Sequence, residues 1–314
     1  MTTVIDSVPL GVVLDDIVQL HRPRNERGSV PARIPHLSAP PFDRFGIAVA
    51  TTTGEIFSAG DAGIPFSIQS ISKVFTLAMA LGVDDRDSLW SRVLREPSGT
   101  SFDSLVQLEV EHGIPRNPFI NPGALVVTDH LMESFPDSAG HFLRFLAEQV
   151  GESTVGVGPF IDEAAAQSEL ASGNRNLALA HFLKDFGNLR HPAQAVVESY
   201  IRQCSVMMTC EQTAKAGLFL ARGGRGEAGS VVSKDQAKRI CSIMLTCGMY
   251  DAAGEFAYRV GLPGKSGVGG GILVIVPGRY SICVWSPRLD SKGNSLAGMA
   301  ALADLTDRTG WSVF

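Results

Sequence analysis

One stretch, Phe66 to Leu81, restricts most strongly what this chain can fold into. From Val74 onward it is hydrophobic nearly all round a helix, which predicts a helix buried in the core. Ser70 and Lys73 stand at its start, three positions apart, so their side chains lie on one face about one turn from each other. An amine in so apolar a segment is costly to bury unless it serves a purpose.

The spacing of Ser70 and Lys73 suits nucleophilic catalysis. A serine hydroxyl becomes a nucleophile when a base takes its proton, and a desolvated lysine with a lowered pKa can be that base. Ser-x-x-Lys is a known form of this pair, but the pattern is short enough to arise by chance. Such a serine often only caps a helix, and such a lysine often only extends to solvent. No other lysine here has a serine three positions before it, which favours the catalytic interpretation.

Composition limits the class of protein. The 314 residues are 45% hydrophobic and 19% charged, enough for one large domain or two modest ones. The net charge is -5 and the charges are interspersed, so neither nucleic acid nor a membrane is expected as a partner. The first residues do not have the pattern of a secretory signal, and no apolar run is long enough to span a bilayer.

Cysteine and histidine usage predicts a cytoplasmic protein without a metal. The five cysteines include no C-x-x-C pair and are interpreted as buried free thiols of a reducing cytoplasm. The seven histidines are scattered without ligand spacing, so no metal site and no cofactor are expected.

Hydrophobic periodicity predicts an α+β fold in two lobes. The predicted order is a helix over 9–22, a long loop over 23–43, a hairpin within 45–58, a helical block, a hairpin over 272–285 and a helix over 295–308. Strands from the two ends of the chain would pair into one antiparallel sheet, with the helical block inserted and a cleft between the lobes. We expect a single domain, 1–314, with the helical lobe at about 84–230.

Local signals fix several helix starts. Asn121 followed by Pro122 predicts an N-cap and a first helical residue. The polar segment 169–176 is predicted to be turn-like and to open into a helix over 177–186. Two capping boxes precede apolar-periodic helices, Thr209 with Gln212 and Ser233 with Gln236.

Two further signals accompany the serine and lysine. Lys265-Ser266-Gly267 stands before a strand and is a form of the Lys-Thr/Ser-Gly element that accompanies Ser-x-x-Lys in penicillin-recognising enzymes. Glycines after Val268 would let backbone N–H groups form an oxyanion hole with that of Ser70, unless they only lead into a hairpin. Tyr250 could relay a proton to a leaving group, although spacing alone favours a half-buried tyrosine with its hydroxyl satisfied.

Several segments together resemble the serine-dependent glutaminase family, the bacterial and mitochondrial type with a β-lactamase-like fold. The likeness covers the chain from about residue 26 onward and is carried by residues 69–73, 119–121, 168–178, 202–205, 247–263 and 265–271. The ankyrin repeats and the sulfate-transporter-like domain of some members are absent. The chain therefore resembles the minimal form, with an antiparallel sheet, flanking helices and an inserted all-helical lobe.

The resemblance implies hydrolysis of L-glutamine to L-glutamate and ammonia. It implies that Ser70 is the nucleophile, Lys73 its base and Tyr250 a proton relay beside Ser70. It also implies the residues that contact glutamine: Ser70, Tyr250, Val268 through its backbone, Asn121, Glu169, Asn176 and Tyr200. Family members form dimers and tetramers, so a homodimer or homotetramer is expected.

Elementary chemistry agrees with these implied contacts. The ammonium of a free amino acid requires a carboxylate, which Glu169 supplies, and its carboxylate requires amide and hydroxyl donors. Without the resemblance, Glu169 would be interpreted as a solvated charge at a helix end. One departure from the family stands out: Arg33 stands where a tyrosine usually reaches the active site. Arg33 would either contact the substrate carboxylate or turn outward and leave the site open.

Two other functions are compatible with the same residues. A penicillin-interactive hydrolase would be labelled at Ser70 by a β-lactam without turning over glutamine. A non-catalytic glutamine sensor, its chemistry lost through Arg33, would bind glutamine without releasing ammonia.

Overall fold

The computed structural model describes residues 4–5, 8–22, 28–31, 34–38, 41–83, 88–151 and 157–314. Over these ranges the strands are β1 (Val4–Ile5), β2 (Val8–Pro9), β3 (Gly46–Thr51), β4 (Ile56–Gly60), β5 (Phe66–Ser67), β6 (Phe160–Ile161), β7 (Val206–Met208), β8 (Gly264–Ser266), β9 (Gly271–Val276) and β10 (Tyr280–Trp285). The helices are α1 (Leu10–His21), α2 (Ser72–Val83), α3 (Leu105–Val110), α4 (Asn121–Ser134), α5 (Ser138–Val150), α6 (Glu163–Ser172), α7 (Asn174–Asp185), α8 (Ala193–Cys204), α9 (Cys210–Ala221), α10 (Lys234–Cys247), α11 (Ala253–Arg259) and α12 (Leu296–Thr309).

The central sheet joins the two ends of the chain. Its five antiparallel strands lie in the order β4-β3-β10-β9-β8. The pairing of β3 with β10 extends from Gly46 opposite Trp285 to Thr51 opposite Tyr280. The antiparallel α+β sheet predicted from the sequence is therefore confirmed.

Both faces of this sheet are buried, because its strands are apolar on both sides. Along β3, Ile47 and Val49 belong to one hydrophobic core, and Ala48 and Ala50 belong to the other. Helices α1 and α12 cover the first face, and α9 covers the second. A Cβ on Gly217 of α9 would lie 2.4 Å from Ser281 Oγ of β10, so only glycine permits this approach.

Helix α2 runs through the larger core. It contacts α4, α5 and α10, and its residues from Ser72 to Leu81 are all buried. Phe75 of this helix packs against Phe219 of α9 at 6.4 Å between ring centroids. The prediction of a helix buried nearly all round is confirmed.

Local structure departs from the sequence predictions at several places. Asn121 is the first residue of α4 and not its cap, because its side chain accepts from Lys73. The N–H groups of Phe119 and Ile120, just before the helix, donate to Asn117 Oδ1. The segment 169–176 is helical on both sides of Gly173 and not one long turn. The strand β8 and the small sheet β5-β7-β6 were not predicted. Both predicted capping boxes are confirmed.

A buried ionic cluster anchors helix α4. The carboxylate of Asp129 on α4, which is 0% exposed, accepts from the guanidinium of Arg92 and from the backbone N–H groups of Arg190 and His191. Burial alone raises the pKa of Asp129, but the hydrogen bonds from His191, Arg190 and Arg92 outweigh it and lower the pKa. The cluster therefore holds α4, which begins at Asn121, against two loops.

None of the helices in the described ranges is long and apolar enough to cross a membrane.

We expect Asp129→Ala to lower the free energy of unfolding by about 3 kcal/mol, because it leaves the charge of Arg92 buried without its main partner. Urea denaturation measures the change. The matched control is Asp235→Ala on α10, whose exposed carboxylate pairs with Lys238 and Arg239 and which we expect to change stability far less. Equal losses in the two variants would contradict a structural role for the cluster.

Candidate active site

Ser70 lies in a short 3-10 turn, Gln69–Ile71, directly before α2. The turn is anchored because the N–H of Ile68 donates to the carbonyl of Val206 at 2.9 Å. Gln69 has a φ of 46°, a left-handed conformation that a non-glycine residue adopts only when its surroundings enforce it. Ser70, which follows this residue directly, is 7% exposed.

Lys73 is buried one turn further along the chain. Its Nζ donates to Asn121 Oδ1 at 2.7 Å and to the carbonyl of Phe119 at 3.2 Å, and makes no hydrogen bond to Ser70 among the described contacts. Burial lowers the pKa of Lys73 to about 8, although Cys204 and Glu169 act in the opposite sense. A lysine with this pKa is an available base near neutral pH.

Tyr250 lies beside Ser70 in a strained turn. Its φ is 51°, and its hydroxyl donates to the carbonyl of Ser266 at 3.2 Å. Burial raises the pKa of the Tyr250 phenol, and the nearby side chain of Ser70 opposes that rise. The ring of Phe102 packs against the ring of Tyr250, with 4.8 Å between the two centroids.

A glycine turn at 267–270 packs against the backbone of the nucleophile. The N–H of Gly270 donates to the carbonyl of Gly267 at 2.9 Å and closes the turn. A Cβ on Gly267 would lie 2.5 Å from the carbonyl oxygen of Ile68 and 3.4 Å from the backbone nitrogen of Ser70. Only glycine therefore lets the turn at Gly267 lie this close to the backbone of Ile68 and Ser70.

These groups meet at one cavity of about 520 Å³. Six of the eight predicted site residues line it: Ser70, Asn121, Glu169, Asn176, Tyr200 and Val268. The other two, Lys73 and Tyr250, do not line it: Lys73 donates to Asn121 in its wall, and Tyr250 lies near enough to Ser70 for that side chain to affect its pKa.

Neutral polar groups form one wall of the cavity. Asn121 Nδ2 donates to Asn176 Oδ1 at 3.0 Å, and the hydroxyl of Tyr200 donates to Asn121 Oδ1 at 3.3 Å. Burial raises the pKa of Tyr200 well above its usual value, so its hydroxyl stays protonated. This wall can donate hydrogen bonds to a carboxylate.

Glu169 contributes a buried carboxylate, 9% exposed. Its Oε2 accepts from Gln69 Nε2 at 3.2 Å. Burial raises the pKa of Glu169, while the bond from Gln69 and the charge of Lys73 act against that rise. A carboxylate with one neutral donor and little water is a site for an ammonium group.

The rim includes residues that the sequence did not single out. Arg175 Nε donates to the carbonyl of Asp103 at 3.0 Å, and Lys292 Nζ donates to the carbonyl of Asp251 at 3.2 Å across the cavity mouth. Arg175 stands inside the polar segment 169–176 and Asp251 inside the segment 247–263, whereas no local pattern marks Asp103 or Lys292. Arg33, where the sequence departs from the family, lies outside the described residues.

The arrangement can act on a small molecule that carries an ammonium, a carboxylate and a carbonyl carbon. It supplies a serine hydroxyl, a buried amine, a phenol, a carboxylate and backbone donors. Within the described ranges, no group of three or more His, Cys, Asp or Glu side chains could hold a metal ion.

Comparison with known proteins gives a consistent result. The profile of the glutaminase family matches residues 28–314. A glutaminase of Rhizobium meliloti (strain 1021) is 52% identical over 312 residues, covering 97% of this chain and 96% of the relative. A solved structure of a probable glutaminase, ybaS, superposes with a TM-score of 0.90 at 34% identity over 97% of this chain and 98% of that one. The glutamate form of the protein Mglu superposes with a TM-score of 0.89 at 36% identity, over 97% and 69% of the two chains.

We expect Gly267→Ala to lower turnover of glutamine about a hundredfold, because the new Cβ pushes the glycine turn away from the backbone of Ser70. Ammonia release measures the effect. Gly63→Ala is the matched control, since a Cβ there meets nothing within 4 Å. Full activity in the Gly267 variant would show that this close approach does not matter.

Proposed function

Since this chain belongs to the glutaminase family and hydrolyses glutamine, we propose that the reaction proceeds through an acyl-enzyme on Ser70 with Lys73 as its base. The observation that carries this proposal is the buried amine of Lys73, one helical turn from a serine hydroxyl that opens into a cavity with a carboxylate. Burial lowers the pKa of Lys73 to about 8, so a sizeable fraction of its side chain is neutral near pH 7 and can accept a proton.

Acylation begins when Ser70 Oγ attacks the side-chain amide carbon of glutamine and neutral Lys73 takes the hydroxyl proton. Backbone N–H groups of Ser70 and Val268 hold the oxyanion that forms. The carbon–nitrogen bond then breaks, and Tyr250 gives its proton to the departing nitrogen, which leaves as ammonia. The ammonium of Lys73 returns a proton to Tyr250, so both groups regain their starting states.

Deacylation repeats the sequence with water. Water attacks the acyl carbon, Lys73 takes its proton, and the same backbone donors hold the second oxyanion. When the ester bond breaks, Ser70 recovers the proton from Lys73 and glutamate leaves. The proton of the new carboxyl group passes to ammonia in solution, which balances the reaction.

Substrate recognition divides the amino acid between two walls. Glu169 binds the α-ammonium, and the group formed by Asn121, Asn176 and Tyr200 binds the α-carboxylate. The glutamate form of Mglu shows that a relative holds the product. The fixed distance from these walls to Ser70 would set the length of side chain that reaches the nucleophile.

The cellular setting follows the same reasoning. We propose one domain, 1–314, acting as a homodimer or homotetramer in the cytoplasm. Its five buried free thiols support a reducing compartment. The comparisons favour neither a penicillin-interactive hydrolase nor a non-catalytic sensor.

Ser70→Ala is expected to abolish ammonia release from glutamine, because it removes the hydroxyl that forms the acyl-enzyme. Ser72→Ala is the matched control two residues along, at the start of α2, since among the described residues its hydroxyl makes one long hydrogen bond, with Cys204 Sγ at 3.9 Å. A coupled ammonia assay compares the two variants. Retained turnover in purified Ser70→Ala would rule out the acyl-enzyme.

The pH dependence of kcat/KM is expected to show an acid limb near pH 8. Burial lowers the pKa of Lys73 to about 8, and only its neutral form accepts the serine proton, so activity rises as pH increases through this value. Below the limb, kcat/KM should fall about tenfold per pH unit, as one proton requires. A profile that is flat from pH 6 to 9 would contradict Lys73 as the base.

A further inference from the structure

A second buried lysine lies beside the site and has no part in the steps above. Lys265, on the edge strand β8, is 0% exposed. Its Nζ donates to the carbonyl of Gly248 at 3.1 Å and to the carbonyl of Ser266 at 2.5 Å. Among the described residues, no carboxylate lies within ion-pair distance of it. A charged amine would be costly in such a place.

Lys265 and Tyr250 share one hydrogen-bond acceptor. The Nζ of Lys265 lies 4.5 Å from the centroid of the Tyr250 ring. Both the amine and the phenol donate to the carbonyl of Ser266, and the bond from the amine is the shorter, at 2.5 Å against 3.2 Å. The amine thus makes the stronger hydrogen bond to this carbonyl, and the phenol makes the weaker one.

The hydrogen-bond count at Nζ fits an uncharged amine. A neutral amine has two N–H donors, whereas an ammonium has three and would leave one without an oxygen acceptor here. The two carbonyls match the two donors of the neutral form.

The charges that face Lys265 agree with this count. Its neighbours are Lys73 on α2, Cys204 on α8, Cys247 on α10 and Tyr250 in the turn that follows α10. Burial raises the pKa of Cys204, Cys247 and Tyr250, so these three are neutral near pH 7. Burial first, and the charge of Lys73 second, lower the pKa of Lys265 well below its usual value.

We propose that Lys265 is an uncharged amine at neutral pH and acts as the positioning residue of Tyr250. By making the shorter bond to the carbonyl of Ser266, it weakens the bond of the phenol to that carbonyl, so that the hydroxyl can turn to Ser70. Because it carries no charge, it does not oppose protonation of Lys73. This role rests on the proposed function, in which Tyr250 donates the proton that the leaving ammonia needs.

Steady-state kinetics of Lys265→Met test the positioning role. The variant should fold, since the carbonyl of Gly248 still accepts from the N–H of Ser266 at 3.1 Å and that of Ser266 from Tyr250 at 3.2 Å. Tyr250 would then bond the freed carbonyl more strongly and reach Ser70 less often. We expect kcat to fall about tenfold, KM to change less than about threefold and the acid limb to stay in place.

Two results would overturn the proposal. An unchanged kcat would remove the positioning role, and an acid limb moved upward by about one pH unit would show that Lys265 carries a charge that acts on Lys73. The matched control is Lys238→Met, an exposed lysine of α10 that pairs with Asp235, in which all three quantities should stay unchanged.

Nuclear magnetic resonance of the wild-type protein tests the charge state without any turnover. The chain has seven lysines, so ε-13C-lysine labelling gives a spectrum that can be assigned with Lys73→Met and Lys265→Met. At pH 7 we expect one resonance at the position of a neutral amine, lost in Lys265→Met. Seven ammonium resonances would overturn the proposal. Activity in Ser70→Ala would instead refute the acyl-enzyme and leave this resonance as it is.

Discussion

Exclusion of water from the amine of Lys73 is the condition on which the rest of this structure depends. An exposed lysine is a cation that cannot take a proton near neutral pH, and burial is the largest cause of the lowered pKa here. Burial on this scale requires a helix enclosed on all sides. Helix α2 is therefore apolar all round and surrounded by α4, α5 and α10, while a two-faced sheet and its covering helices complete the shell.

The exclusion of water also determines how the buried carboxylates are paired. Glu169 is held by an amide and not by a cation, so its charge remains available to a ligand. Asp129 forms the opposite kind of site, with donors on several sides, and is structural. The carboxylate of Glu169 thus has a single hydrogen-bond donor, whereas that of Asp129 has several. This contrast separates a binding group from an anchor without reference to sequence similarity.

Sequence patterns predict the features that repeat along the chain and fail where contacts from distant segments decide. The hairpin ending in β10, the helix α12 and both capping boxes follow from periodicity and local donors. Strands of two or three residues, such as β5, carry no periodicity and form because neighbours pair with them. Asn121 has the sequence of a cap, yet its side chain bonds Lys73 from another helix. Ser70 and Lys73 stand out in the sequence, whereas the contact of Lys265 with the ring of Tyr250 exists only after folding.

The pairing of β3 with β10 also has a consequence for synthesis of the chain. Ser70 is made before Tyr250, the glycine turn and the strand β10 that pairs with β3, all of which lie far later in the sequence. Until then, the apolar helix α2 and the edge of β3 that pairs with β10 are exposed. Exposed surfaces of this type are the ones that chaperones bind. Closing so long a loop makes the sheet slow to form. A chain that has not yet reached these segments would therefore lack the donors around its nucleophile, so the reactivity of Ser70 arises only after they are made.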